Sequence, residues 1–108
     1  MKIIPLETFK NDVKTLQKKY KNIFRDLNEL NRTLQNNPRA GIPLGNNCFK
    51  IRLGNSSVPT GKSGGFRIIY YFLSNDRIIF LMTIFSKSDQ NNISDKKIGQ
   101  ILNDNDLL

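Results

Sequence analysis

At 108 residues the chain is sized for a single domain, 1–108, with one core. Its net charge of +8, from 17 Lys+Arg against 9 Asp+Glu, points to a polyanionic partner: nucleic acid, an anionic membrane surface or an acidic protein segment. With no His and one Cys, zinc sites and His-based triads are excluded by inventory, and Cys48 forms no internal disulfide.

A lone cysteine fits a reducing compartment, and Cys48, just ahead of an apolar alternation, reads as packing filler rather than as a nucleophile. No run approaches the ~20 apolar residues of a membrane span, and the opening Met1-Lys2-Ile3-Ile4-Pro5 lacks a signal-peptide core. The expectation is a cytoplasmic protein with no membrane association.

In chain order, Ile3 and Ile4 predict a short strand stopped by Pro5. Phe9, Val13, Leu16 and Tyr20 then recur at steps of four, three and four, which predicts an amphipathic helix. Ile23, Leu27, Leu30 and Leu34 repeat those steps and predict a second helix ending at Asn36-Asn37-Pro38. The short gap between the stripes favours a helical hairpin over one bent helix. Arg39 to Asn47, with Gly41, Pro43 and Gly45, reads as a loop.

The period then changes to two. Phe49, Ile51 and Leu53 alternate with Lys50 and Arg52, which sets the two cations on the face away from the apolar residues. Gly54 to Gly65 is loop-rich, and Phe66 to Leu73 is a strong β run. Ser74-Asn75-Asp76 reads as a turn into a further β run, Arg77 to Phe85, so these two runs make a hairpin. Ser94-Asp95 can cap a last short helix bearing Ile98, Ile101 and Leu102, with a fraying tail from Asn103 to Leu108. The expected fold is α+β: an N-terminal strand and helical hairpin packed on one face of an antiparallel-rich sheet, followed by a short C-terminal helix.

From Pro38 to Asn75 there is no Asp or Glu, while Arg39, Lys50, Arg52, Lys62 and Arg67 are all present. Gly61-Lys62-Ser63 does not make a nucleotide-binding loop. Gly54 precedes Gly61 by six intervening residues where that loop needs four, and a β run follows where a helix N-terminus is required. Lys62 is better read as a phosphate contact at a loop tip, against the plainer reading of a solvated lysine. Arg67 interrupts an apolar run and would be costly to bury alone, so its side chain is expected to reach solvent or an anion on the open sheet face. Lys50, Arg52, Arg67 and Lys87 all fall on strands or at their ends, where pairing could gather them into one anion-gripping cluster.

Four segments, Phe49 to Leu53, Gly61 to Tyr71, Leu81 to Lys87 and Asn92 to Lys96, resemble in order and spacing the HigB/RelE-type toxins of the RelE/ParE superfamily. The resemblance implies a RelE-like fold and the toxin of a type II toxin–antitoxin system: a ribosome-dependent endoribonuclease (mRNA interferase) that cuts mRNA in the A site. In that family the RNA 2′-hydroxyl attacks the adjacent phosphate, leaving a 2′,3′-cyclic phosphate and a 5′-hydroxyl, with no metal and no cofactor. By position, Lys50 is the candidate general base, Arg52 a phosphate clamp, Arg67 the transition-state stabiliser and Lys87 the support for the leaving group. Lys62, Arg39 and Tyr71 are the further candidates for RNA contact, although Tyr70 and Tyr71 fit core packing equally well. Implied partners are a cognate antitoxin and the 70S ribosome with its mRNA and rRNA; operator DNA is met only through the antitoxin complex. Ile93 stands where the RelE pattern has a tyrosine. Two alternatives remain: a ParE-like gyrase-poisoning toxin, and a catalytically inactive relative that only binds RNA or protein.

Overall fold

In the computed structural model, which describes residues 1–59 and 64–108, the period-two and period-3.6 patterns become the elements they predict, with one addition and one correction: the last helix runs through Asn103 to Asp104 and Leu107 packs behind it, where a fraying tail was expected. The order is β1 (Lys2–Pro5), α1 (Glu7–Gln17), α2 (Ile23–Asn36), β2 (Ile42–Gly45), β3 (Cys48–Leu53), β4 (Phe66–Leu73), β5 (Ile78–Ser86) and α3 (Asp95–Asp104). The strands form one sheet in the order β1-β5-β4-β3-β2. β1 runs parallel to β5, and every other pairing is antiparallel. Pro5 closes β1 opposite Leu81, on an edge strand where its missing N–H costs no ladder bond.

The addition is β2. Glycines and Pro43 made this stretch read as loop, yet it pairs antiparallel with β3 through Ile42↔Lys50, Pro43↔Phe49 and Gly45↔Cys48. The two strands are joined by Asn46 (φ 51°) and Asn47 (φ 63°), and positive φ at both central residues is the signature of a tight type I′ hairpin. Pro43 and the exposure of the whole strand are compatible only with an edge position, which β2 occupies. Arg77, expected to start the last strand, instead sits in the turn at φ 54°.

Both faces of the sheet are covered, unequally. The stripes of α1 and α2 bury Phe9, Val13, Ile23, Leu30 and Leu34 against Phe66, Ile68, Tyr70, Ile79 and Ile84. Asp12 on α1 locks this packing, its carboxylate accepting from Thr83 Oγ1 at 2.5 Å and the Ile84 amide at 3.2 Å. Those bonds fall beside the register shift that puts an extra residue into β5. On the other face α3, capped by Ser94 accepting from the Lys97 amide at 3.1 Å, lays Ile98, Ile101 and Leu102 over Cys48, Ile69, Tyr71 and Met82. This second cluster covers only one end of that face and leaves the other to the cations. Among the described residues no helix is long and apolar enough to cross a membrane.

Candidate active site

Strand alternation and register bring the cations together. On β3, Lys50 and Arg52 project to the α3 side of the sheet, beyond the helix itself, because Cys48 of the same parity lies in the cluster beneath α3. Arg52 stands directly opposite Arg67 on β4, and Lys50 opposite Ile69. Directly opposed residues have Cβ atoms about 4.5–5.5 Å apart, so two guanidinium groups share one cross-strand position where like charges repel. Phe85 of β5 flanks Arg67 on its other side. Lys87 follows two residues later, with its amide donating to the Gly65 carbonyl at 2.9 Å, so it lies at the same end of the sheet.

Gly65 itself is a necessity of this geometry. A Cβ there would lie 2.2 Å from the Leu53 carbonyl oxygen, so only glycine lets the chain return so tightly beside the end of β3. That close approach carries the chain straight into Phe66, opposite Leu53, and sets the register that opposes Arg67 to Arg52. The far end of the cluster is held by Tyr20, whose hydroxyl lies 3.2 Å from Ser86 Oγ and 3.3 Å from Ser88 Oγ, on either side of Lys87.

Arg67 departs from expectation in one respect. Where solvent or an anion on the open face was expected to receive it, its side chain is nearly enclosed, 7% exposed, and its interactions include Nη1 donating to the Phe66 carbonyl at 3.3 Å. Burial first, and Arg52 second, hold its pKa below the ordinary arginine value, so its charge is carried at a cost to the fold. Arg52 is exposed and Lys50 and Lys87 are half-buried. Among the described residues Lys19 pairs with Asp89 and Arg32 with Glu29. Lys87 Nζ donates to the Asn91 carbonyl at 3.2 Å, which steadies its ammonium near the strand end. A buried guanidinium, an exposed one and two lysines suit a phosphodiester and the added negative charge of its transition state.

The remaining sequence candidates lie elsewhere. Arg39 stacks its guanidinium 4.9 Å from the centre of the Phe72 ring, on the helix-covered side and at the opposite end of β4, so the structure does not bring it to the cluster. Tyr71 is 7% exposed in the cluster beneath α3, its ring 6.2 Å from that of Phe80; packing claims it, and stacking on a base does not fit that burial. Tyr70 is core as well, stacked on Phe49 with its hydroxyl donating to the Pro38 carbonyl at 2.8 Å. Lys62 lies outside the described residues. Ile93 packs against the cluster beneath α3. Cys48 is buried, and burial pushes its thiol up to about 11, as a packed and unreactive residue requires.

Sequence reasoning missed a cleft of about 770 Å³ beside the cluster, between α2, β3 and residues 54–59. It opens because β2 stops pairing at Lys50, which leaves the outer edge of Ile51 to Leu53 uncovered. The Asn55-Ser56-Ser57 run was the one local hint, since such residues bind their own backbone in loops.

Comparison with known proteins bears on the family and on the fold. A family model described as the RelE toxin of the RelE/RelB toxin–antitoxin system matches residues 6–104. A solved structure of a doubly substituted mutant of the E. coli toxin RelE in the free state is similar in fold, with a TM-score of 0.55 and 17% sequence identity, over 82% of this chain and 85% of that one.

Proposed function

The chain belongs to the RelE toxin family, and from that premise we propose that it is a metal-independent endoribonuclease cutting mRNA on the ribosome through its Lys/Arg cluster. The observation that carries the proposal is the direct opposition of Arg52 and Arg67, with Lys50 one alternation away on the same face and Lys87 at the same sheet end. Repulsion between the two guanidinium groups is relieved when a phosphate enters between them, and relieved further as the phosphorane gains negative charge. A site that binds the transition state better than the ground state accelerates the step.

In the proposed reaction Lys50 takes the proton of the ribose 2′-hydroxyl, whose oxygen attacks the adjacent phosphorus. Arg52 and Arg67 hold the non-bridging oxygens. As the P–O5′ bond breaks, Lys87 gives a proton to the departing 5′-oxygen, which leaves as a hydroxyl while the 2′,3′-cyclic phosphate remains. The ribosomal A site supplies what this small cluster lacks: an mRNA held in a conformation ready for in-line attack. A cognate antitoxin, the partner that a toxin of this family implies, would then restrain the activity by covering the cationic surface.

The test is to add the protein to a translating extract and map mRNA ends by primer extension. New 5′ ends within translated codons, absent from naked RNA and from untranslated message, support the proposal. Intact mRNA in the presence of a growth-arresting protein overturns it.

A further inference from the structure

The cleft beside the cluster holds a feature that cleavage chemistry does not use. Asn55 is 3% exposed and lines this cleft together with Asp26 and Glu29 of α2 and with Lys50 and Arg52 of β3. Its Oδ1 accepts from the Ser57 amide at 3.0 Å, whereas Nδ2 is buried without a hydrogen-bond partner among the described residues. The segment around it is otherwise well tied down. The Ser56 amide donates to Asp26 Oδ2 at 3.0 Å, the Asn22 amide donates to Ser57 Oγ at 2.9 Å, and the Val58 amide donates to the Asn55 carbonyl at 3.2 Å. Buried donors are almost always paired, so an orphan in an otherwise well-bonded segment is a donor that an incoming acceptor can satisfy.

We propose that Asn55 is a base-reading residue, its Nδ2 donating to the exocyclic carbonyl of a uracil or guanine beside the scissile phosphate. The inference rests on the RNA-cutting reading above and deepens it. The two walls of the cleft differ in charge. Lys50 and Arg52 hold the backbone phosphate; Asp26 and Glu29 disfavour phosphate, and with Asp26 Oδ2 taken by the Ser56 amide and Glu29 Oε2 by Arg32, it is their Oδ1 and Oε1 that would accept an N–H group. Uracil and guanine carry a ring N–H next to their carbonyl, so they offer an acceptor to Asn55 and a donor to the acid wall. Cytosine and adenine present an amino group and a bare ring nitrogen in those places, the reverse of what the cleft can satisfy. Single-stranded RNA is read on such base edges, and a volume of about 770 Å³ suits a planar base with its ribose.

The experiment uses the full chain on translating ribosomes, with messages that carry each of the four bases at the positions flanking the cut. The wild type is expected to cut uracil and guanine sites at least about 10-fold faster than cytosine and adenine sites at one of those positions. Asn55→Asp keeps the acceptor for the Ser57 amide and removes the donor, so the ratio should fall to within about threefold. Asn55→Ser, which introduces no buried charge, should collapse the ratio in the same way, and thermal unfolding of both variants verifies that they fold. An unchanged base ratio in either folded variant, or no keto preference in the wild type, overturns the role of Asn55 while leaving nuclease activity standing. Absence of cutting by the wild type overturns both.

Discussion

Replacing Arg67 with methionine should separate activity from stability. The stem of Arg67 is buried, and methionine fills a similar volume with the same unbranched reach. Two electrostatic terms oppose each other. The repulsion from the exposed Arg52 directly opposite is worth at most about 1 kcal/mol, as for other solvent-screened pairs. Against that relief stands the loss of the 3.3 Å bond to the Phe66 carbonyl and of the other interactions Arg67 makes, about 1–3 kcal/mol. The net change in stability should lie within about 1–2 kcal/mol of zero, read as a shift of less than about 10 °C in thermal midpoint. Catalysis has no such compensation. Removing one preorganised donor from the transition-state charge costs about 100- to 1000-fold in rate, measured by primer extension on translating ribosomes. Arg67→Lys should fall between, since it keeps the charge and loses the planar fork. A methionine variant that folds and cuts within fivefold of the wild type would refute the assignment of Arg67. A fall in thermal midpoint of more than about 20 °C would refute the claim that its charge strains the fold.

Arg52→Glu should convert a repelling cross-strand pair into an attracting one, raising stability by roughly 1 kcal/mol in urea denaturation while reducing cutting by at least about 100-fold; a destabilised variant contradicts the register. Asp12→Ala removes both bonds to β5 and leaves a buried threonine hydroxyl unpaired, so unfolding free energy should drop by about 2–4 kcal/mol, with base preference unaffected in whatever activity remains. At pH 8 the Cys48 thiol should react with alkylating reagents about 100-fold more slowly in the native protein than in urea, since its pKa moves from 9.0 to about 11. The folded thiol binds its proton more tightly, so stability from this group is full below pH 9 and falls as pH rises from 9.0 toward about 11. Rapid native alkylation or a flat profile there would show that Cys48 is not enclosed.

Much of the fold was legible from local pattern. The stripes of α1 and α2, the alternation of β3 and the hairpin of β4 and β5 all follow from side chains repeating at the period of the backbone that carries them. The same alternation assigned Lys50 and Arg52 to one face before any pairing was known. The lack of acids between Pro38 and Asn75 is what makes that face a candidate for phosphate. β2 was not legible because its own residues favour a loop, and only the free edge of β3 makes a strand of them.

Other properties exist only once distant segments meet. That Arg52 opposes Arg67 is a matter of register, which the close approach of Gly65 to the Leu53 carbonyl sets. That Tyr71 is core is decided by α3 closing over one end of the sheet, and that Arg39 stands apart is decided by Phe72 holding it at the other. The unpaired amide of Asn55 arises where α2, the open edge of β3 and a bonded loop enclose it. Periodicity states which way a side chain points, because that depends on its immediate backbone; burial, opposition and the lack of a partner depend on what folds over it from elsewhere in the chain.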